Sequence, residues 1–166
     1  MYTIATTRFT TKTFNEKEQW CEKNGWKGSI LGTPIKISDK IPQNSILFVL
    51  VMNNDKNKIV EICLIKNTLV TDKYYKIYSD TNYNRYVYKS KYRIDVSDST
   101  TTPLTDYEKK VIDIFNIVLF KGLRNVKRYQ GITALPKWIA TSKHMDFVTF
   151  FKELFASKCK IDLSQR

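Results

Sequence analysis

The chain has 166 residues, of which 42% are hydrophobic, 13% are aromatic and 27% are charged. This length fits one domain with enough apolar side chains to bury a core. The formal net charge of +12 is spread among apolar residues rather than collected in a tail, so we expect a folded basic surface. Nucleic acid is the first partner expected for such a surface, and an anionic membrane is the alternative.

Neither the cysteines nor the N-terminus indicates secretion. Cys21, Cys63 and Cys159 are odd in number and widely spaced, and the only histidine is His144. Reduced, packed thiols are therefore expected, without a disulfide framework or a zinc site. No apolar run reaches the roughly 18 residues of a membrane span, and the first residues do not resemble a signal peptide. These features predict an intracellular protein in a reducing compartment.

The first third of the chain predicts a strand, a short helix and a long loop. Residues 2–9 contain the β-branched run expected of a strand. Asn15 and Glu18 resemble a helix start and Gly25 a helix end, which predicts a helix over about 16–23. Residues 26–44 are rich in glycine and proline and predict a loop with one strand at 34–37.

The middle of the chain predicts two hairpins. Residues 46–52 form a continuous apolar run, typical of a strand buried on both faces, and a turn at 53–57 leads to a second strand at 59–65. Residues 73–78 and 86–95 predict two more strands. In the last of these, even-numbered tyrosines alternate with Lys89, Lys91 and Arg93, so one face should pack and the other should be positive.

The C-terminal third predicts helices. A capping box at Thr105 and Glu108 opens a helix of about 105–121 with apolar residues at helical spacing. Pro136 starts a short helical turn that contains Trp138. A last helix, near 144–158, carries an apolar stripe of Phe147, Phe150, Phe151, Leu154 and Phe155. Strands followed by helices predict an α+β fold, a small barrel or curled mixed sheet over about 1–96 with flanking helices over about 105–158.

Catalytic chemistry is not indicated. The sequence contains no glycine-rich phosphate loop, no Gly-x-Ser-x-Gly elbow and no His-Glu-x-x-His pair. A catalytic triad would have to use His144, which precedes the last helix and is typical of a surface residue. We therefore predict a binding protein with no catalytic residues, metal site or cofactor.

Two basic regions are candidates for phosphate contacts. The first has lysines and arginines interleaved with tyrosines over residues 73–93, and its predicted contacts are Arg85, Lys89, Lys91 and Arg93. The second is the loop that contains Arg124, Lys127 and Arg128, in a segment without an acidic residue from 121 to 143. Lysines and arginines bind phosphates, and aromatic faces stack on unpaired bases. The alternatives are a tyrosine-rich sheet with a solvated face and a solvated loop.

Two tryptophans and a polar turn are candidates for a base pocket. Trp20 and Trp26 flank Gly25, and Asn53 and Asn54 follow a buried strand. Together with Tyr83 they could surround a flat base or a methylated group. The alternative is that both indoles fill the core, as tryptophan usually does.

Four segments carry a resemblance to known proteins: 41–54 (IPQNSILFVLVMNN), 57–67 (NKIVEICLIKN), 83–89 (YNRYVYK) and 119–122 (LFKG). The first two resemble the strand pair of PUA-like domains, in particular the EVE and YTH branches. All four together resemble uncharacterised proteins of large nucleocytoplasmic DNA viruses. The resemblance implies a small barrel that reads a modified or unpaired base in an aromatic cage, in a host cytoplasm or a virion.

The sequence therefore predicts a protein that binds nucleic acid, with RNA or another single strand ahead of duplex DNA because exposed aromatic rings suit unpaired bases. The alternative is a viral structural or scaffold protein that docks on a protein partner through its phenylalanine-rich last helix.

Overall fold

The computed structural model describes residues 2–164. The strands are β1 (Tyr2–Phe9), β2 (Ser29–Thr33), β3 (Ile46–Asn53), β4 (Lys58–Lys66), β5 (Tyr86–Ser90), β6 (Tyr92–Asp95) and β7 (Thr133–Ala134). The helices are α1 (Thr11–Lys23), α2 (Asp106–Phe120), α3 (Lys137–Ala140) and α4 (Phe147–Cys159), and a 3₁₀ turn covers Thr81–Asn84. The α+β class predicted from the sequence is confirmed.

A five-stranded mixed sheet forms the centre of the fold. Its strand order is β6-β4-β3-β1-β7, and a separate two-stranded sheet pairs β2 with β5. In the part of the chain that the structure describes, β6 and β7 are the two edges of the large sheet, so the sheet is open and the small barrel predicted over about 1–96 is not formed. β1 and β3 are parallel, with Phe9 opposite Asn53. The carboxyl ends of these two strands therefore lie side by side.

The large sheet is buried on both faces. Phe48, Leu50 and Met52 of β3 pack on the side of α2 and α4. Leu47 and Val49 of the same strand pack on the side of α1 and the two-stranded sheet. This confirms the sequence prediction that residues 46–52 form a strand covered on both faces, because an apolar residue is needed at every position of such a strand.

Helix α1 begins earlier than the sequence predicts. Thr10 is its N-cap, and Thr13 takes the place of the usual glutamate or glutamine in a reciprocal capping box. The donor to the Thr10 hydroxyl is the backbone N–H of Thr13, at 3.1 Å. The prediction from Asn15 and Glu18 was therefore wrong at the start of the helix, while its end at Lys23 agrees with the prediction.

Two predicted strands are absent from the described residues and a third is divided. Residues 34–37 and 73–78 form no strand, and the strand of the glycine-rich segment is β2 instead. The predicted strand over 86–95 is divided at Lys91 because β5 pairs with β2 whereas β6 pairs with β4. Gly28 permits this corner, since a Cβ atom there would lie 1.8 Å from the Ser90 carbonyl oxygen.

The C-terminal helices follow the predicted pattern. The Thr105–Glu108 capping box opens α2, and Pro136 is the N-cap of α3. The apolar stripe of α4 is buried against the large sheet and α2. The described part of that helix therefore presents no exposed phenylalanine to a protein partner.

Candidate nucleic-acid interface

The segment 121–143 presents positive charge together with exposed aromatic rings. It contains no acidic residue. The exposed fractions of the Tyr129 and Trp138 side chains are 41% and 45%. The Arg124 guanidinium lies over the Trp138 ring, 5.5 Å from its centroid. Its exposed basic residues are Lys121, Arg124, Arg128, Lys137 and Lys143, and Lys127 is half-buried.

A buried anchor holds this segment on the protein. Val126 is buried in the core shared with α2 and α4, and its N–H donates to the carbonyl oxygen of Leu119 at 2.9 Å. The Asn125 side chain donates to the Gly122 carbonyl oxygen at 2.8 Å. Because the buried Val126 side chain and these hydrogen bonds hold the backbone, the basic side chains of 121–131 project from an ordered loop.

The loop is also joined to the carboxyl ends of β1 and β3. The carbonyl oxygen of Lys127 accepts a hydrogen bond from Asn54 Nδ2 at 2.7 Å and another from Arg8 Nη1 at 3.2 Å. Two parallel strands and the basic loop therefore meet at one point. Arg8 adds a further cation there that the sequence analysis did not identify.

A cavity of about 210 Å³ lies at this junction. We call it the strand-end cavity. Gly32 makes room for its aromatic wall, because a Cβ atom at that position would lie 2.5 Å from the Tyr83 carbonyl oxygen and 2.8 Å from the Tyr78 ring. The lining residues are Arg8, Phe9, Thr10, Thr13, Gly32, Asn54, Tyr78 and Tyr83.

Two buried polar atoms in the lining residues have no hydrogen-bond partner within residues 2–164: Asn54 Oδ1 and the Tyr78 hydroxyl. Tyr78 and Tyr83 meet edge to face, with ring centroids 6.4 Å apart. Burial raises the pKa of Tyr78 well above its usual value. Tyr78 is therefore a neutral hydroxyl that can both donate and accept a hydrogen bond.

Of the five residues predicted to form a base pocket, Asn54 and Tyr83 line the strand-end cavity. Asn53 does not line it, because its buried side chain shapes the following turn. Its Oδ1 accepts from the N–H groups of Asp55 and Lys56 at 3.0 and 3.2 Å.

Trp20 and Trp26 lie together elsewhere and are already occupied. The Lys89 ammonium lies 5.7 Å from the Trp20 ring, 4.8 Å from the Trp26 ring and 5.0 Å from the Tyr75 ring. The Trp26 indole N–H donates to the Ser29 carbonyl oxygen at 3.0 Å. The two tryptophans thus contact a lysine of the same chain, and Lys89 is half-buried against them.

We expect Trp26→Ala to lower the free energy of unfolding by about 3 kcal/mol, near the low end for large aromatic side chains because the indole is half-buried. Affinity for single-stranded nucleic acid should not change. Trp138→Ala is the matched control, and it should weaken binding by about 1 to 3 kcal/mol per stacked base with little effect on stability. Chemical denaturation and binding measured on the same preparations separate the two effects. A loss of affinity without a loss of stability in Trp26→Ala would instead assign Trp26 a base-binding role.

Arg93 is not a free cation. Its two Nη atoms donate to Glu18 at 2.6 and 3.0 Å, and Nη1 lies 3.6 Å from Glu61 Oε2. Burial lowers the pKa of the Arg93 guanidinium, but Glu18 and Glu61 outweigh burial and raise it. The expected positive face formed by Lys89, Lys91 and Arg93 is therefore not present, because one of these residues is caged by aromatic rings and another is paired.

The two basic regions lie at opposite ends of β3. Lys91 lines a cleft with Ile46 and Leu64, at the start of that strand, whereas Lys127 bonds Asn54 just beyond its end. A strand of this length spans roughly 23 Å at 3.3 Å per residue. Arg85 is exposed two residues after Tyr83, and its guanidinium lies 5.5 Å from the Tyr86 ring centroid. Lys89, Lys91 and Arg93 therefore do not form one continuous groove with the basic loop of Arg124, Lys127 and Arg128.

A second polar cluster lies between α1 and the large sheet, where Glu18, Glu61 and Arg93 line a cavity of about 270 Å³. The Lys17 ammonium, fully buried, lies 2.7 Å from Glu61 Oε2, 2.9 Å from Glu18 Oε1 and 3.0 Å from Ser29 Oγ. The Cys63 thiol donates to Glu61 Oε1 at 2.8 Å. Each charge has an opposite partner, so the cluster is a neutral structural unit. We call it the charged quartet, after Lys17, Glu18, Glu61 and Arg93.

Within residues 2–164 no group of three or more histidine, cysteine, aspartate or glutamate side chains could hold a metal ion. In the same range no helix has the length and apolar character to cross a membrane. Cys21, Cys63 and Cys159 are free thiols. Comparisons of the chain with protein-family models, with curated proteins and with solved structures found no match. The resemblance to PUA-like domains and to viral proteins stays a prediction.

Proposed function

We propose that this protein binds single-stranded nucleic acid through the segment 121–143. The observation that carries the proposal is an ordered, exposed segment that combines six basic side chains with two exposed aromatic rings and no carboxylate. Phosphates are neutralised by lysine and arginine with release of counterions. Exposed tyrosine and tryptophan rings offer stacking faces to unpaired bases, which a closed duplex does not present.

The roles of the residues follow from their positions. Arg124, Lys127 and Arg128 supply the phosphate contacts, and Tyr129 and Trp138 stack on bases. Arg8 extends the same basic surface to the ends of β1 and β3, where it bonds the Lys127 carbonyl. Lys89 and Arg93 are not among the proposed phosphate contacts, because Lys89 lies on aromatic rings and Arg93 is paired with Glu18. The function is binding, and no catalytic step is assigned to these residues.

A strand of nucleic acid fits this surface better than an anionic membrane does. Membrane-surface binding usually depends on an amphipathic helix with a continuous apolar face. In the segment 121–143 the apolar residues Val126, Ile132, Leu135 and Ile139 are buried, and Leu123 is a single fully exposed aliphatic side chain rather than part of a continuous apolar face. Its exposed rings instead alternate with basic residues, a pattern typical of single-strand binding.

The triple variant R124A/K127A/R128A tests the proposal. We expect it to weaken binding of a single-stranded oligonucleotide roughly 100-fold near 0.15 M salt and to reduce the slope of log affinity against log salt by about two to three units. Folding should be unaffected, because these side chains are exposed or half-buried in a loop anchored by Val126. Fluorescence anisotropy over a salt series measures both quantities.

A charge-matched control keeps the test specific. Lys23, Lys27 and Lys40 are exposed, and the first two lie at the far end of α1 from the strand-end cavity. K23A/K27A/K40A removes the same charge, and its salt slope should stay close to that of the wild type. Equal losses in the two triple variants would show non-specific attraction by net charge and would contradict an interface at 121–143.

A further inference from the structure

The strand-end cavity contains an unusual pair of buried polar atoms. Asn54 Oδ1 and the Tyr78 hydroxyl are closed off from water and have no partner within residues 2–164. Buried polar atoms in native proteins are nearly always hydrogen-bonded. An atom without a partner has lost its hydrogen bonds to water and gains none in the protein, which destabilises the fold. Both atoms belong to residues that line one cavity, which points to a polar group that enters it from outside the chain.

The neighbouring bonds decide what kind of polar group this is. Asn54 Nδ2 already donates to the Lys127 carbonyl at 2.7 Å, which fixes the amide so that Oδ1 faces away as an acceptor. The entering group must therefore supply a donor. The Tyr78 hydroxyl accepts or donates according to its partner, so a group with an N–H beside a second polar atom satisfies both.

The cavity does not favour a phosphate or a carboxylate. An anion would use the free N–H groups at the start of α1, but two of these are already engaged. The N–H of Thr13 donates to the Thr10 hydroxyl at 3.1 Å, and the N–H of Thr11 donates to Asp55 Oδ2 at 2.8 Å. The Asp55 carboxylate also repels a second negative charge at this point.

Size and wall shape favour one flat ring. The cavity holds about 210 Å³, and an apolar cavity of roughly 150 Å³ accepts one benzene ring. The walls contributed by Phe9, Tyr78 and Tyr83 are aromatic. A neutral, planar group that carries an N–H donor beside another polar atom is the description of a nucleobase.

We propose, building on the function proposed above, that the strand-end cavity takes one unpaired nucleobase of the bound strand. The base donates an N–H to Asn54 Oδ1 and exchanges a hydrogen bond with the Tyr78 hydroxyl. Its ring enters beside Tyr83, which is half-buried and shifts to open the polar end of the cavity. The Lys127 carbonyl bond ties this base site to the phosphate contacts, so base and backbone are held by one junction.

Tyr78→Phe tests the proposal with little disturbance of the fold, because the hydroxyl that it removes makes no hydrogen bond within residues 2–164. The probes are a twelve-nucleotide oligodeoxycytidylate and a deoxyribose-phosphate oligomer of the same length without bases. We expect the variant to bind the oligodeoxycytidylate about 3- to 10-fold more weakly than the wild type, the usual worth of one hydrogen bond. Both proteins should bind the base-free oligomer equally.

Tyr107→Phe is the matched control, since Tyr107 lies exposed on α2 outside the cavity, and it should bind both probes like the wild type. Equal affinity of wild type and Tyr78→Phe for the base-containing probe would overturn the base site while leaving the segment 121–143 as a phosphate-binding surface. Equal weakening for both probes would also overturn it. Failure of the wild type to bind either probe at low salt would instead overturn the proposed function itself.

Discussion

Glu61→Ala is expected to lower the free energy of unfolding by about 3 to 5 kcal/mol, the range for removing one partner of a buried ion pair. The Glu61 side chain is buried and holds the fully buried Lys17 ammonium at 2.7 Å. Without it, Lys17 retains only the half-exposed Glu18 as a counter-charge. Urea denaturation followed by circular dichroism measures the loss.

The double variant K17M/E61L is the informative control. It removes both charges of the pair and leaves the Glu18–Arg93 contact at 2.6 Å in place. Buried ion pairs replaced by apolar side chains of similar size often cost nothing, so the double variant should recover most of the stability that Glu61→Ala loses. A double variant no more stable than the single one would indicate that the quartet organises the fold beyond its pairwise attraction.

The same pair predicts a dependence of stability on pH. Burial alone would raise the pKa of Glu61, but Lys17 and Arg93 outweigh it and hold that pKa below the usual 4.5. Burial alone would lower the pKa of Lys17, yet Glu61 and its neighbours raise it above 10.5. The stabilisation from Glu61 is therefore present above 4.5 and is lost as pH falls through the lower folded value. The stabilisation from Lys17 is lost only as pH rises beyond 10.5. Below pH 4.5, K17M/E61L should lose stability less steeply than the wild type.

The parts of the fold that could be predicted are those in which local patterns and burial agree. Residues 46–52 are apolar at every position, and the run is short and rich in β-branched residues, which indicates a strand covered on both faces. The structure has β3 there. The capping box at Thr105 and Glu108 depends on residues three apart and needs no tertiary information. These elements were therefore predicted with nearly correct bounds.

The parts that could not be predicted depend on contacts between distant segments. Lys17 is expected at the surface like most lysines, and only the arrival of Glu61, 44 residues later, permits its burial. Lys89 and Arg93 looked like the positive face of one strand because alternation assumes that the strand is continuous. The chain turns a corner at Lys91 instead, which sends the two side chains into different surroundings.

The candidate site was predictable in composition and not in geometry. A run without acidic residues at 121–143 is visible in the sequence, as are Asn54 and Tyr83. Arg8 and Tyr78 carried no local signal, because one is an ordinary strand-end residue and the other belongs to a segment that forms no strand. Arg8 reaches this site through the parallel pairing of β1 with β3, a contact made over more than 40 residues. Tyr78 is placed by Asn84, whose Oδ1 accepts its backbone N–H at 2.9 Å, and by its ring contact with Phe9.

Phe151→Ala should also destabilise the protein by about 3 to 5 kcal/mol, as deletion of a buried aromatic ring does. Phe151 is fully buried, and its ring centroid lies 5.6 Å from that of Phe48 and 5.7 Å from that of Phe115. It therefore joins α4 to the large sheet and to α2. Guanidinium denaturation measures the loss.

Glu153→Ala, on the exposed side of the same helix, is the control for Phe151→Ala and should stay within about 0.5 kcal/mol of the wild type. The comparison also tests the alternative of a scaffold protein that docks through α4. That alternative needs the phenylalanine stripe free to meet a partner, so it predicts that Phe151→Ala is as harmless to the isolated chain as Glu153→Ala. A large loss confined to Phe151→Ala would mean that the stripe is committed to the core, and that a protein partner would have to bind elsewhere.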